Sequence, residues 1–162
     1  KEFWERLKGR FDFILADAPA GMGDGFQFAA EYADQGVIVS LAEASSLRDA
    51  DRVVEELEKS GIEDIRLCLN RIKPELIEKK VLMNIDDCVD VLSIPILGII
   101  PDDVAVTEYV VGGKYIGDTQ IGAGCALKNI ASRLTGAHVP IMEMGNPDKK
   151  SLISRIKKAL GK

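Results

Sequence analysis

Four short apolar runs, residues 11–16, 37–40, 65–69 and 96–100, punctuate this chain, and the stretches between them carry their apolar residues at helical spacing. Short runs without strict polar alternation suit strands buried on both faces of a parallel sheet, and parallel strands need a crossover between them, usually a helix. The repetition predicts an α/β fold, a parallel sheet flanked by helices. Helices are expected over 1–10 (Phe3, Trp4, Leu7; stopped by Gly9), 26–33 (Phe26, Ala29, Ala30, Ala33) and 46–59 (Leu47, Ala50, Val54, Leu57; capped by Ser45 or Ser46, closed by Gly61). Three more are expected over 85–92, over 104–111 before Gly112-Gly113, and over 123–134 with Ala126, Leu127, Ile130, Ala131 and Leu134 as its buried stripe.

The first run ends in a carboxylate and a loop of small residues, Asp17-Ala18-Pro19-Ala20-Gly21-Met22-Gly23-Asp24-Gly25. Ligands of open α/β sheets bind beyond the carboxyl ends of the strands, so an acid there followed by Pro and Gly suits a phosphate-bound metal. A helix-capping Asp in a turn fits the same five residues. The third run leads directly into Asn70-Arg71, and an Asn side chain can both donate to and accept from a base, although Asn is also a common turn residue. Asp86, Asp87 and Asp90 lack EF-hand spacing and read as charge at a helix start. His138 lies in a connector with no acid nearby in sequence and is given no catalytic work.

At 162 residues and 46% hydrophobic, the chain can bury one sizeable core. Its three cysteines, Cys68, Cys88 and Cys125, are too scattered for a disulfide framework or a metal cage and read as small buried apolar residues. Charge is unevenly spread. Six basic residues and one acid follow Pro147, so a formal net charge of −5 leaves −10 on everything before. Set on a helix at about 100° per residue, Leu152, Ile153, Ile156, Ala159 and Leu160 share one arc, with Lys150, Arg155, Lys157 and Lys158 outside it. A packed terminal helix can show such a stripe. The linker-like Gly145-Asn146-Pro147 and the charge inversion favour a helix lying on anionic lipid, with Leu152, Ile153, Ile156 and Leu160 as its membrane face.

Asp17-Ala18-Pro19-Ala20-Gly21 resembles the second nucleotide motif of the MinD branch of the MinD/ParA deviant P-loop ATPases. The segments 32–39, 43–52, 69–71 and 97–103 resemble MinD segments in family order, so the likeness covers nearly the whole chain. It implies a partial P-loop NTPase domain over 1–145 and a linker with a membrane-targeting helix over 146–162. No Gly-rich loop ending in Gly-Lys-Thr or Gly-Lys-Ser occurs in these residues and residue 1 is Lys, so the expectation is the C-terminal portion of a longer protein.

The resemblance further implies that Asp17 holds Mg²⁺ through a water, that the loop at Gly21 responds to the γ-phosphate, and that Asn70, Arg71, Pro101, Asp102 and Asp103 hold the base. Glu43, Ser45 and Asp51 fall at the family's dimer and partner surface. The intact protein is expected to bind ATP or ADP with Mg²⁺ and to hydrolyse ATP. It is expected to form a homodimer, to meet division-inhibitor and topology-factor proteins, and to sit in the cytoplasm on the inner face of the cell membrane. These 162 residues alone are expected to bind no nucleotide and to be inactive. Nucleic acid is not expected, given the acidic body. Two departures stand out. Gly23 occupies a place where many MinD sequences have Glu, and a ParA-like partitioning ATPase or a nucleotide-free membrane adaptor shares much of the strand pattern. In the family the strand before the P-loop neighbours the one ending at Asp17, so a sheet edge is expected to be exposed.

Overall fold

The computed structural model describes residues 2–19, 21–119 and 122–141. In chain order these form α1 (Glu2–Lys8), α2 (Asp24–Ala30), β1 (Gly36–Ser40), α3 (Ala44–Lys59), β2 (Ile65–Ile72), α4 (Pro74–Glu78), α5 (Ile85–Leu92), β3 (Ile96–Pro101), α6 (Val104–Val111), a 3-10 turn (Ile116–Asp118) and α7 (Gly122–Leu134). The three strands pair in parallel in the order β1-β2-β3, with Gly36 opposite Ile65 and Ser40 opposite Leu69. Helices cover both faces, as the alternation of strand and helix predicts.

The larger core lies on the face that takes Ile38, Ile65, Leu67, Leu69 and Ile99. Leu47, Ala50, Val54 and Leu57 of α3 pack there, joined by Cys88 and Leu92 of α5 and by Phe26 and Ala30 of α2. Burying each large side chain of this set contributes about 1.5–3 kcal/mol. The opposite face carries Cys68 and Leu97 against Ile130 of α7. One extra β3 residue between the Leu67–Ile96 and Cys68–Gly98 pairs lets residues three apart, Ile96 and Ile99, face the same core. Gly98 is required there because a Cβ would collide with the Ile130 side chain.

The first apolar run departs from expectation. Residues 11–17 form no strand, and residues 12–19 make no backbone hydrogen bond to a described residue. Phe13 is 63% and Leu15 89% exposed. A strand needs a neighbour to take its N–H and C=O groups, and β1 leaves this segment unpaired. The segment and β1 instead share the walls of one cavity of about 1040 Å³. On β1 the residues alternate buried and exposed, with Val37 and Val39 uncovered. Helix α1 is tied down nearby by Trp4, whose indole lies 5.6 Å from the Phe28 ring and 5.8 Å from Tyr32, and by a 3.1 Å ion pair from Lys8 to Asp34.

Smaller corrections have local causes. Helix α3 begins two residues earlier than its serines suggest. Glu43 is its N-cap residue and no side chain caps it. Pro74 opens α4 at the one helical position where a missing N–H costs nothing. The stripe of α7 is Ala123, Ala126 and Ile130, with Leu127 half-buried and Ala131 exposed, because close packing on β3 selects the small side chains. Cys125 is half-buried, unlike Cys68 and Cys88; burial pushes the Cys68 thiol up to about 11, which leaves it a protonated, inert apolar group.

Candidate functional site

Four loops could carry chemistry, and the structure brings two of them together. Strands β2 and β3 end side by side, with Ile72 opposite Pro101 and the Asp102 N–H donating to the Ile72 carbonyl at 3.0 Å. An extra residue on β2 between its Leu69 and Ile72 pairings displaces Asn70 and Arg71 from the ladder. Arg71 adopts a left-handed backbone, φ +54°, that a non-glycine residue enters only when its surroundings hold it. Two contacts do so. The Asn70 Oδ1 accepts from the Arg71 N–H at 2.9 Å, and the Arg71 Nε reaches Asp102 Oδ1 at 3.4 Å.

Lys73 completes the cluster, with its Nζ 2.8 Å from Asp102 Oδ2. The Lys73 hydrogen bond, reinforced by the charges of Lys73 and Arg71, holds the Asp102 carboxyl below the usual carboxylate range although partial desolvation opposes it. Sequence reasoning missed Lys73. Its signal was a second cation two residues after Arg71 at the same strand exit. Asp103 has a different task. Its Oδ1 accepts from the Ala105 N–H at the start of α6 and its Oδ2 from the Ala123 N–H at the start of α7, both at 2.9 Å. One carboxylate therefore fastens two helix N-termini beside the base-side turn. Gly122, at φ +60°, sits so close to that carboxylate that a Cβ would overlap it.

The other two loops lie apart from this cluster. Asp17 is exposed and makes no hydrogen bond or ion pair among the described residues, and the cavity beside β1 is lined by Ala16, Ala18, Pro19 and Gly21 but not by Asn70. The structure thus does not bring Asp17 and Asn70 into one cleft. Gly21 has φ +91°, a conformation suited to a tight phosphate-facing turn. Glu43, Ser45 and Asp51 are all exposed at and after the start of α3. Leu152, Ile153, Ile156 and Leu160 lie outside the described residues. No group of three or more His, Cys, Asp or Glu that could hold a metal is found among the described residues.

A parallel sheet with helices on both faces and polar groups gathered at the carboxyl ends of its strands makes this an open α/β domain, the class whose ligands bind beyond the strand ends. No protein-family model matches the chain. The septum site-determining protein MinD of Bacillus subtilis is 37% identical over 163 residues, 99% of this chain and 60% of that protein. MinD of Synechocystis is 35% identical over 158 residues, 96% of this chain and 59% of the relative. Among solved structures, the MinD cell division protein of Aquifex aeolicus matches with a TM-score of 0.80 at 36% identity, covering 88% of this chain and 63% of that one. The Aquifex aeolicus MinC:MinD complex gives 0.79 at 36% identity, over 87% and 59%. The Pyrococcus horikoshii MinD complexed with Mg-ADP gives 0.71 at 28%, over 85% and 58%. The chain belongs to the MinD family, and it spans about 60% of the length of the curated relatives it matches.

Proposed function

We propose that these residues serve a MinD-type ATPase that places the division site, binding the membrane as an ATP-dependent dimer. The observation that carries this reading is the cluster at the ends of β2 and β3. There Arg71, in a left-handed backbone, and the half-buried Asn70 flank the Pro101–Asp103 turn at the carboxyl ends of adjacent parallel strands, where open α/β sheets bind their ligands. Asn70, Arg71, Pro101 and Asp102 hold the base, and Asp103, whose two carboxylate oxygens cap helix starts, lends only its backbone to that turn; Asp17 holds Mg²⁺ through a water; the Gly21 turn answers the γ-phosphate. The Pyrococcus horikoshii relative with Mg-ADP supports nucleotide and magnesium as the ligands, and the Aquifex aeolicus MinC:MinD complex supports a division inhibitor as one partner.

In this reading the cavity between residues 11–16 and β1 is where a further strand belongs. A strand there would pair both neighbours and carry Asp17 to the strand-end crevice. Residues 1–145 act as part of the ATPase domain. Residues 146–162 are the linker and lipid-facing helix, with Leu152, Ile153, Ile156 and Leu160 in the acyl boundary. Two anchors on a dimer bind far better than one, which makes attachment depend on nucleotide. Glu43, Ser45 and Asp51 form the dimer and partner surface. Two measurements test this. The purified 162 residues should hydrolyse no ATP, because no phosphate-cradling lysine loop is among them; turnover abolished by Asp17→Asn would overturn that. Sedimentation with anionic vesicles should require residues 152–162, and binding that survives their removal would refute the anchor.

A further inference from the structure

Helix α6 buries none of its residues although four of its eight are valine. Val104, Val110 and Val111 are 76%, 68% and 83% exposed. At about 100° per residue they fall within one arc of about 120°, with the exposed Thr107 between Val110 and Val111, while Ala105, Val106 and Tyr109 turn half-buried toward the domain. Tyr115, four residues past the end of α6, is 70% exposed as well. A soluble domain rarely leaves a contiguous apolar helix face bare unless something covers it part of the time. The face is also rigidly presented, since Asp103 locks the start of α6 to the start of α7.

Charge and reach point to one occupant. Glu108 lies on the same exposed side of α6, Asp118 is exposed in the turn that follows Lys114, whose Nζ stands 5.9 Å from the Tyr109 ring centre, and the residues before Asp148 carry −10 in total. The six basic residues of the last fifteen surround the apolar set Leu152, Ile153, Ile156 and Leu160. The chain leaves α7 under the grip of Arg133. Its guanidinium donates to the carbonyls of Val139 (2.8 Å), Pro140 (2.6 Å) and Leu97 (2.7 Å). That exit lies at the far end of α7 from α6, and a helix of 13 residues spans about 20 Å. The nine residues 142–150 can cover about 30 Å when extended, which is enough to bring residue 152 to the valine face.

We propose that residues 152–160 dock on the valine face of α6 within the same molecule, so that α6 and lipid compete for one apolar stripe. The basic rim of the tail then meets Glu108 and Asp118, and docking weakens as salt screens those charges. This contact does not depend on the tail's being an anchor. It needs only the stripe and the charges.

The test uses the full 162-residue chain carrying Cys125→Ser and a nitroxide on Ala159→Cys, without vesicles. Amide signals of residues 104–111 should broaden selectively, recover in 0.5 M salt, and recover fully in Val104→Lys/Val111→Lys, whose changed positions are solvent-exposed and leave the core untouched. Broadening absent from α6, or unchanged by the double variant, would overturn the proposal. So would broadening transferred to an unlabelled-spin, ¹⁵N-labelled partner in a mixed sample, which means a second copy is the occupant. With anionic vesicles, Val104→Ser/Val111→Ser, which strips the apolar face without adding charge, should bind about threefold more tightly if about two-thirds of the tails are docked; equal binding would also count against it. Loss of vesicle binding in both proteins would sink the anchor and leave the docking measurement standing.

Discussion

On the β3 side of the sheet, α7 lies close over Gly98, and Arg133 ties a carbonyl of the strand to the chain leaving the helix. Leu97 there is 1% exposed. On the β1 side, Val39 is 62% exposed and the apolar run 11–16, which reads just as strongly as a strand, stays irregular across a cavity. Both regions have β-favouring residues. They differ in whether a neighbour is present to receive the backbone's hydrogen bonds and a helix to cover the side chains. Local preference nominates a strand, but pairing and burial make it one.

That contrast is breakable. Leu67→Ala in the central strand should cost about 2–5 kcal/mol, whereas Leu15→Ala, 89% exposed, should change stability by less than about 0.5 kcal/mol; urea midpoints compare them directly. Equal losses would mean that residues 11–16 are packed in solution. Gly122→Ala should come next, losing about 1–3 kcal/mol because its left-handed backbone and the Asp103 carboxylate leave no room for a methyl group. Gly21→Ala, at φ +91° with open space around it, should cost about 1–2 kcal/mol, from backbone strain alone. Asp103→Ala removes the caps of α6 and α7 at once and should lose about 1–2 kcal/mol, with hydrogen exchange quickening at residues 105 and 123 together.

Two smaller effects sharpen the comparison. Val39→Lys should leave the thermal midpoint within about a degree and yet dissolve any self-association seen by sedimentation, because the bare edge of β1 is where a second strand can add. A wild-type chain that is monomeric at all concentrations would show that this edge recruits nothing. Asp102→Asn should lower the midpoint only slightly, as exposed ion pairs do. The sign of its pH dependence is fixed. Lys73 and Arg71 hold the Asp102 carboxyl low, so its contribution is present above the ordinary carboxylate range and is lost as pH falls through the lowered value. The wild-type and Asp102→Asn midpoints should therefore converge in acid and stay apart near neutrality.

Much of the architecture was legible in the residues. Three of the four apolar runs became β1, β2 and β3, and the stripe Leu47, Ala50, Val54 and Leu57 faces the core as its spacing predicts. Asn84 caps α5 through a 2.8 Å bond from the Asp87 N–H, so Asp86 and Asp87 are helix-start charge, while Asp90 falls in the second half of the helix. Asn70 and Arg71 sit at a strand end as the motif implies. Lys73 escaped notice because its partner, Asp102, is 29 positions away and meets it only when β2 and β3 align.

The amino-acid sequence by itself determined three of the four strands, the helices between them, the buried face of α3 and the family, since each depends on side-chain spacing within a dozen residues or on motifs read along the chain. Tertiary structure alone decided that Asp103 joins two helices 20 residues apart, that Arg133 gathers three carbonyls, and that residues 11–16 stay unpaired. Those outcomes rest on contacts between distant residues. A hydrogen bond or a sheet pairing forms only where its partner stands, and spacing along the chain does not say where that is.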